Sequence, residues 1–130
     1  MQRFLVAVLV AAVSVSLGAG VASAHRVIYK STVSIKFTTS AYGDSFSGKV
    51  RSPRARCVKR RSVRVFRVAT GPDTVIGTDT SSDTGAWVVN PGGFASPGDY
   101  YAKAKRKVLK RNARHRHICR GATSRTIHVG

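Results

Sequence analysis

The chain has 130 residues, enough for one domain with a modest core but short for a catalytic α/β barrel or a doubly wound nucleotide-binding sheet. It carries 23 Lys and Arg against five Asp, with no Glu, for a formal charge of +18. That balance points to polyanion contact or to a surface kept soluble by its charge, and leaves few acids for paired-carboxylate or acid–base chemistry.

Taken in chain order, residues 1–24 have the layout of a secretory signal peptide. Arg3 supplies the positive start, Phe4 to Leu17 the apolar run, and Ala22-Ser23-Ala24 a small-x-small cleavage site. The apolar run is shorter than the ~20 residues a membrane span requires, and Ser14, Ser16, Gly18 and Gly20 dilute it. The expectation is cleavage after Ala24 and a protein secreted or held at the cell envelope, with no integral membrane segment in the mature chain. Residues 25–31 then form a short, loosely structured amino-terminal segment, and 32–130 the domain.

Strand signals follow. Val33, Ile35 and Phe37 alternate with Ser34 and Lys36; Phe46, Gly48 and Val50 alternate with Ser47 and Lys49. Val63 and Val65 flank Arg64, after which Phe66 and Val68 break phase, as a bulge or a two-sided strand does. Residues 74–78, 86–90 and 126–129 read as further strands. The stretch 101–111 tolerates a helix, yet Tyr100, Ala102 and Ala104 alternate, so 100–105 is assigned a strand. Residues 108–118 carry no clear period and are expected to be loose. Turn clusters at Tyr42-Gly43-Asp44, Gly71-Pro72-Asp73, Ser81 to Gly85 and Asn90 to Gly98 separate these segments. Short strands punctuated in this way predict an all-β, seven-stranded antiparallel sandwich or barrel, with Trp87, Val63, Val65 and Tyr100 as core anchors.

Cys57 and Cys119 are the only cysteines, and in a short exported domain a bridge between them is expected. Four signatures occur in sequence: Gly48-x-Val50, the Thr/Asp/Ser turn from Thr78 to Thr84, Gly85-x-Trp87, and Pro97-Gly98-x-Tyr100. In order and spacing they resemble the prealbumin-like (transthyretin-like) sandwich, above all the carboxypeptidase regulatory-like domains and their small secreted bacterial relatives. The resemblance covers residues 45–130. It implies a seven-stranded structural or binding module without catalytic machinery. It departs from the family pattern at Ser81-Ser82, where relatives carry Thr-Asp.

The charge is segregated. Arg51, Arg54, Arg56, Lys59, Arg60, Arg61, Arg64 and Arg67 form one stretch without an acid. Lys103, Lys105, Arg106, Lys107, Lys110, Arg111, Arg114, Arg116 and Arg120 form another. No base lies between Arg67 and Lys103, where Asp73, Asp79, Asp83 and Asp99 fall. Because each cysteine sits inside a basic stretch, a bridge is expected to gather both at one end or face of the domain. The candidate polyanion-binding residues are Arg51, Arg54, Arg56, Lys59, Arg60, Arg61, Lys107, Lys110, Arg111, Arg114, Arg116 and Arg120. Arginine predominates, which suits forked contacts to phosphate or carboxylate.

Other chemistries fit less well. His115-x-His117-x-Cys119 has a metal-like spacing, but a bridged cysteine is no thiolate ligand. Asp79-x-Ser81-x-Asp83 resembles a calcium loop, with Gly85 one place late and Asn90 where a Glu is needed. No glycine-framed serine accompanies the histidines, so no catalytic residue, metal, cofactor or small-molecule substrate is assigned. Aromatic residues are not interleaved with the bases apart from Phe66 and Tyr100-Tyr101, which argues against sequence-specific nucleic-acid recognition. The favoured expectation is a non-enzymatic module docking on an anionic envelope or extracellular polymer. The alternative is a protein-binding accessory domain that uses a sheet face or edge strand.

Overall fold

The computed structural model describes residues 25–112 and 114–130, and for Lys110 the backbone alone. The signal-peptide expectation for 1–24 lies outside the described residues. The described chain is all-β, with strands β1 (His25–Tyr29), β2 (Thr32–Val33), β3 (Lys36–Ser40) and β4 (Gly43–Arg51). A single 3-10 turn, Ala55–Cys57, precedes β5 (Ser62–Arg67), β6 (Thr74–Thr80), β7 (Ala86–Val89) and β8 (Gly98–Ala104). The chain ends with β9 (Lys107–Arg111), β10 (His115–Cys119), β11 (Ala122–Thr123) and β12 (Ile127–Val129).

Instead of seven strands, the described residues thus hold twelve segments, several of them fragments of one edge. β2 and β3 both pair with β4 and are separated where Ser34 Oγ, rather than a backbone oxygen, accepts the Lys49 N–H. Similarly, β11 and β12 line the same strand, β8, and Ser124 bonds Ala102 between them. One sheet therefore runs from β11 and β12 through β8 and β5 to β6, and another from β2 and β3 through β4 to β7.

The alternation seen in the sequence decides which side chains turn inward. Val63 and Val65 of β5 are fully buried while Arg64 is exposed, and a register shift follows at Val65/Phe66, where the phase break was expected. Trp87 and Val89 of β7 are buried with Val88 outside; in β8, Tyr100, Ala102 and Ala104 are buried. Together with Val33, Ile35, Phe46, Val50 and Val129 these residues form one apolar cluster that draws on both sheets. Phe46 and Tyr100 pack with ring centroids 4.7 Å apart. Burying such side chains is worth about 1.5–3 kcal/mol each, so the four expected anchors contribute a large share of the apolar driving force.

Two glycines let the β4 backbone approach its neighbours. A Cβ on Gly48 would lie 1.9 Å from the Ser34 carbonyl oxygen. Gly85 has φ of +87°, and a Cβ there would lie 2.2 Å from the Val50 oxygen. Its own carbonyl accepts the Val50 N–H.

A third sheet, β1–β10–β9, corrects the expectation that residues 25–31 and 108–118 are loose. β1 pairs with β10 in parallel, so the fold is not wholly antiparallel. The sequence hides these strands because His, Arg and Lys occupy both faces and blur the apolar period. Only their exposure alternates: Val27 and Tyr29 are half-buried, Arg26 and Ile28 exposed.

Candidate anion-binding surface

The expected bridge is present: Cys57 and Cys119 are joined, with Cα atoms 5.3 Å apart. It ties the 3-10 turn of the first basic stretch to β10 in the second. The chain reverses just after the turn at Arg60, whose φ is +52°. On this side Lys107 Nζ donates to the Lys59 carbonyl at 3.1 Å. Burial first, then repulsion from Arg61, Arg60, Lys59 and Arg56, holds the Lys107 ammonium below its usual range. The bridge therefore does bring parts of both stretches together. Arg54, Arg56, Lys59 and Arg60 are exposed around it, and the Arg54 guanidinium lies 5.5 Å from the centroid of the Tyr29 ring.

Arg61 is the exception among the candidates. It is fully buried, and its guanidinium is used internally. Nε and Nη2 donate to the Lys105 carbonyl at 3.1 and 2.9 Å, and Nη2 also donates to the Arg120 carbonyl at 2.8 Å. Nη1 donates to the Cys57 carbonyl at 2.7 Å and to Ser31 Oγ at 2.9 Å. Burial pushes its pKa below the ordinary arginine value, and carbonyl dipoles take the place of water around the cation. Arg61 is a strut across the bridge, not a binding residue. Nothing local in Arg60-Arg61 distinguishes the exposed residue from the buried one.

Arg51, at the end of β4, and Arg114 are exposed; the side chain of Lys110 lies outside the described residues. Arg111 and Arg116 face each other between β9 and β10, and Arg26, absent from the candidates, faces Arg116 from β1. Burial, followed by repulsion from Arg106, Arg111 and Arg26, lowers the Arg116 pKa. Its Nε has no acceptor within the protein. Arg120 lies at one side of a cleft of about 360 Å³ that it forms with Arg26, Ile28, Arg106 and Ile118. Arg26 lies in the amino-terminal segment that was expected to be loose.

Two bases of these stretches, Arg67 and Lys103, are engaged elsewhere. Arg67 donates to the Pro97 carbonyl at 2.7 Å. Lys103 lies over the stacked pair Phe66–Tyr101, 5.5 and 5.7 Å from the two centroids.

Four of the five aspartates are engaged elsewhere. Asp44 is buried and accepts the Ala95 N–H, and Asp73 accepts the Tyr101 hydroxyl at 2.6 Å. Asp99 contacts His128 at 2.7 Å. Among the described side chains no Lys or Arg forms an ion pair with an aspartate.

The calcium-like loop is already committed to the fold. Asp79 accepts the Thr80 and Val88 N–H groups, while Ser81 is buried between the Val58 carbonyl and the Arg61 N–H. Around His115 and His117 the rings of His25 and Tyr29 approach within 5.9 and 6.0 Å, but Cys119 is bridged. Among the described residues no group of His, Cys, Asp and Glu has metal-holding geometry, and no helix is long and apolar enough to cross a membrane. Compared with protein-family models, with curated proteins and with solved structures, the chain matches none of them.

Proposed function

We propose that the chain is a secreted, non-catalytic module that docks electrostatically on an anionic polymer of the cell envelope or extracellular matrix. The observation that carries this reading is a dense set of exposed guanidinium and ammonium groups with no carboxylate partner among the described side chains, whose repulsion adds to burial in lowering the pKa of Lys107 and Arg116. Such crowding opposes folding unless a counter-charge relieves it. The bridge is in keeping with an oxidising, extracytoplasmic setting and with cleavage after Ala24. The common apolar cluster of the two larger sheets supports a prealbumin-like sandwich as the platform.

Retention on heparin and phosphate resins at two ionic strengths tests the proposal. Binding must weaken steeply as salt rises, because it releases counterions; retention indifferent to salt refutes it. A second reading, a protein-binding accessory domain, draws on β7, an edge strand whose Val88 is 51% exposed next to buried Trp87. Val75 and Phe94 are 49% and 69% exposed and line a common cleft. Salt-insensitive capture of a protein partner, lost on V88K, would favour it.

A further inference from the structure

The three-stranded sheet sorts its side chains by register. Arg26 pairs with Arg116, and Arg116 with Arg111. Register partners project to the same side, and neighbouring strands lie about 4.8 Å apart, so these arginines form one transverse row roughly 10 Å long. The next row on that side is Ile28, Ile118 and Val108. Ile118 is buried, whereas Ile28 and Val108 are 50% and 38% exposed. Arg106 and Arg120 join Arg26, Ile28 and Ile118 around the adjoining cleft. Five arginines therefore converge on a partly apolar floor.

The geometry points to the row Arg26–Arg116–Arg111, with Arg106 and Arg120 at the cleft, as the seat of the anionic ligand, and to a linear phosphate polymer as its occupant; this rests on the polyanion reading above. A carboxylate has two oxygens, both satisfied by one arginine fork. An internal phosphate of a linear polymer also has two free oxygens, but its units are joined directly, so successive anions lie closer together than the strands do and reach guanidinium groups on neighbouring strands. A linear phosphate polymer also repeats its charge every few ångströms, so several anions meet the row together. The isoleucine floor displaces water and strengthens each contact.

The full chain in disulfide-bonded form is titrated with long-chain inorganic polyphosphate and with polygalacturonate, a carboxylated polysaccharide, across a salt series. Polyphosphate is expected to bind about tenfold tighter or more, and R26Q/R111Q, which changes two exposed residues, to lose about tenfold in affinity. The log–log salt slope of that variant should fall by one to two units, at about 0.7 per lost contact. R51Q/R56Q removes the same charge from the first basic stretch and should lose less than about threefold. R26K/R111K should keep the slope and still bind more weakly, because lysine lacks the fork. Circular dichroism confirms that the variants are folded. Equal losses in R26Q/R111Q and R51Q/R56Q overturn the row as the seat while leaving polyanion docking intact. Equal affinity for the two polymers overturns the phosphate assignment. Failure of the wild-type chain to bind either polymer in a salt-dependent way overturns both the inference and the proposed function.

Discussion

Replacing Arg61 with methionine separates a structural cation from a binding one. The side chain donates five hydrogen bonds to four groups: the carbonyls of Cys57, Lys105 and Arg120, and Ser31 Oγ. Methionine fills similar space but leaves one buried carbonyl, that of Cys57, and two part-buried ones without their donor, at about 1–3 kcal/mol for each that water cannot reach. Offsetting this, the variant no longer desolvates a charge. Breaking a buried charged network from one side costs about 3–5 kcal/mol, and that range is expected here. For a domain of this size it lowers the thermal midpoint by roughly 15–30 °C. Equilibrium unfolding in urea measures the loss, with R61K as the variant that keeps the charge and loses the fork. Because Arg61 donates to Cys57 and to Arg120, next to Cys119, its effect should not add to that of C57S/C119S. The bridge spans 62 residues and is worth about 4 kcal/mol in the chain-entropy account. The double change should fall short of the sum by about 0.5–3 kcal/mol. An R61M chain within about 1 kcal/mol of wild type, or one whose polyanion salt slope drops as for an exposed arginine, refutes the assignment.

Other outcomes follow from the same structure. G85A should lose about 2 kcal/mol or more in urea unfolding, since a Cβ at φ +87° also overlaps the Val50 oxygen. In Y101F the Asp73 carboxyl loses the hydroxyl that, ahead of the Ala69 N–H and Lys103, holds its pKa below the ordinary range. Carboxyl NMR titration should show that pKa rising. A depressed folded-state pKa contributes stability above the ordinary carboxylate value and loses it as pH falls through the lowered value, so the variant should give up this acid-side dependence. Moderate salt should raise the thermal midpoint by a few degrees in calorimetry, by screening repulsion at Lys107 and Arg116, and a fall would contradict the crowding.

What the sequence made legible depended on whether one face of a strand meets the apolar core. Val63/Val65, Trp87/Val89 and Tyr100/Ala102/Ala104 alternate cleanly because Arg64, Val88, Tyr101 and Lys103 point away from it, and even the bulge after Val65 left a phase break. The bridge was legible because there are only two cysteines. By contrast, β1, β9 and β10 pack polar side chains on both faces, so their pairing rests on long-range register that no local window contains. For the same reason Arg26 escaped notice. Arg61 and Ser81 read as surface residues because their partners, the Lys105 and Val58 carbonyls, come from distant backbone.

The parallel pairing of β1 bears on the order of events during synthesis. His25 meets His115 and Tyr29 meets Cys119, so the earliest described strand cannot find its place until nearly all of the polypeptide has emerged. Contacts this far apart along the chain slow folding, because loop closure is paid before they form. Strands β2 to β8 of the other two sheets precede residue 107 and are free to pair earlier, with β11 and β12 added only after β10 has emerged. The arginine row thus comes into being late, and a nascent or truncated product that ends before residue 116 lacks it even where strands β2 to β8 have already paired.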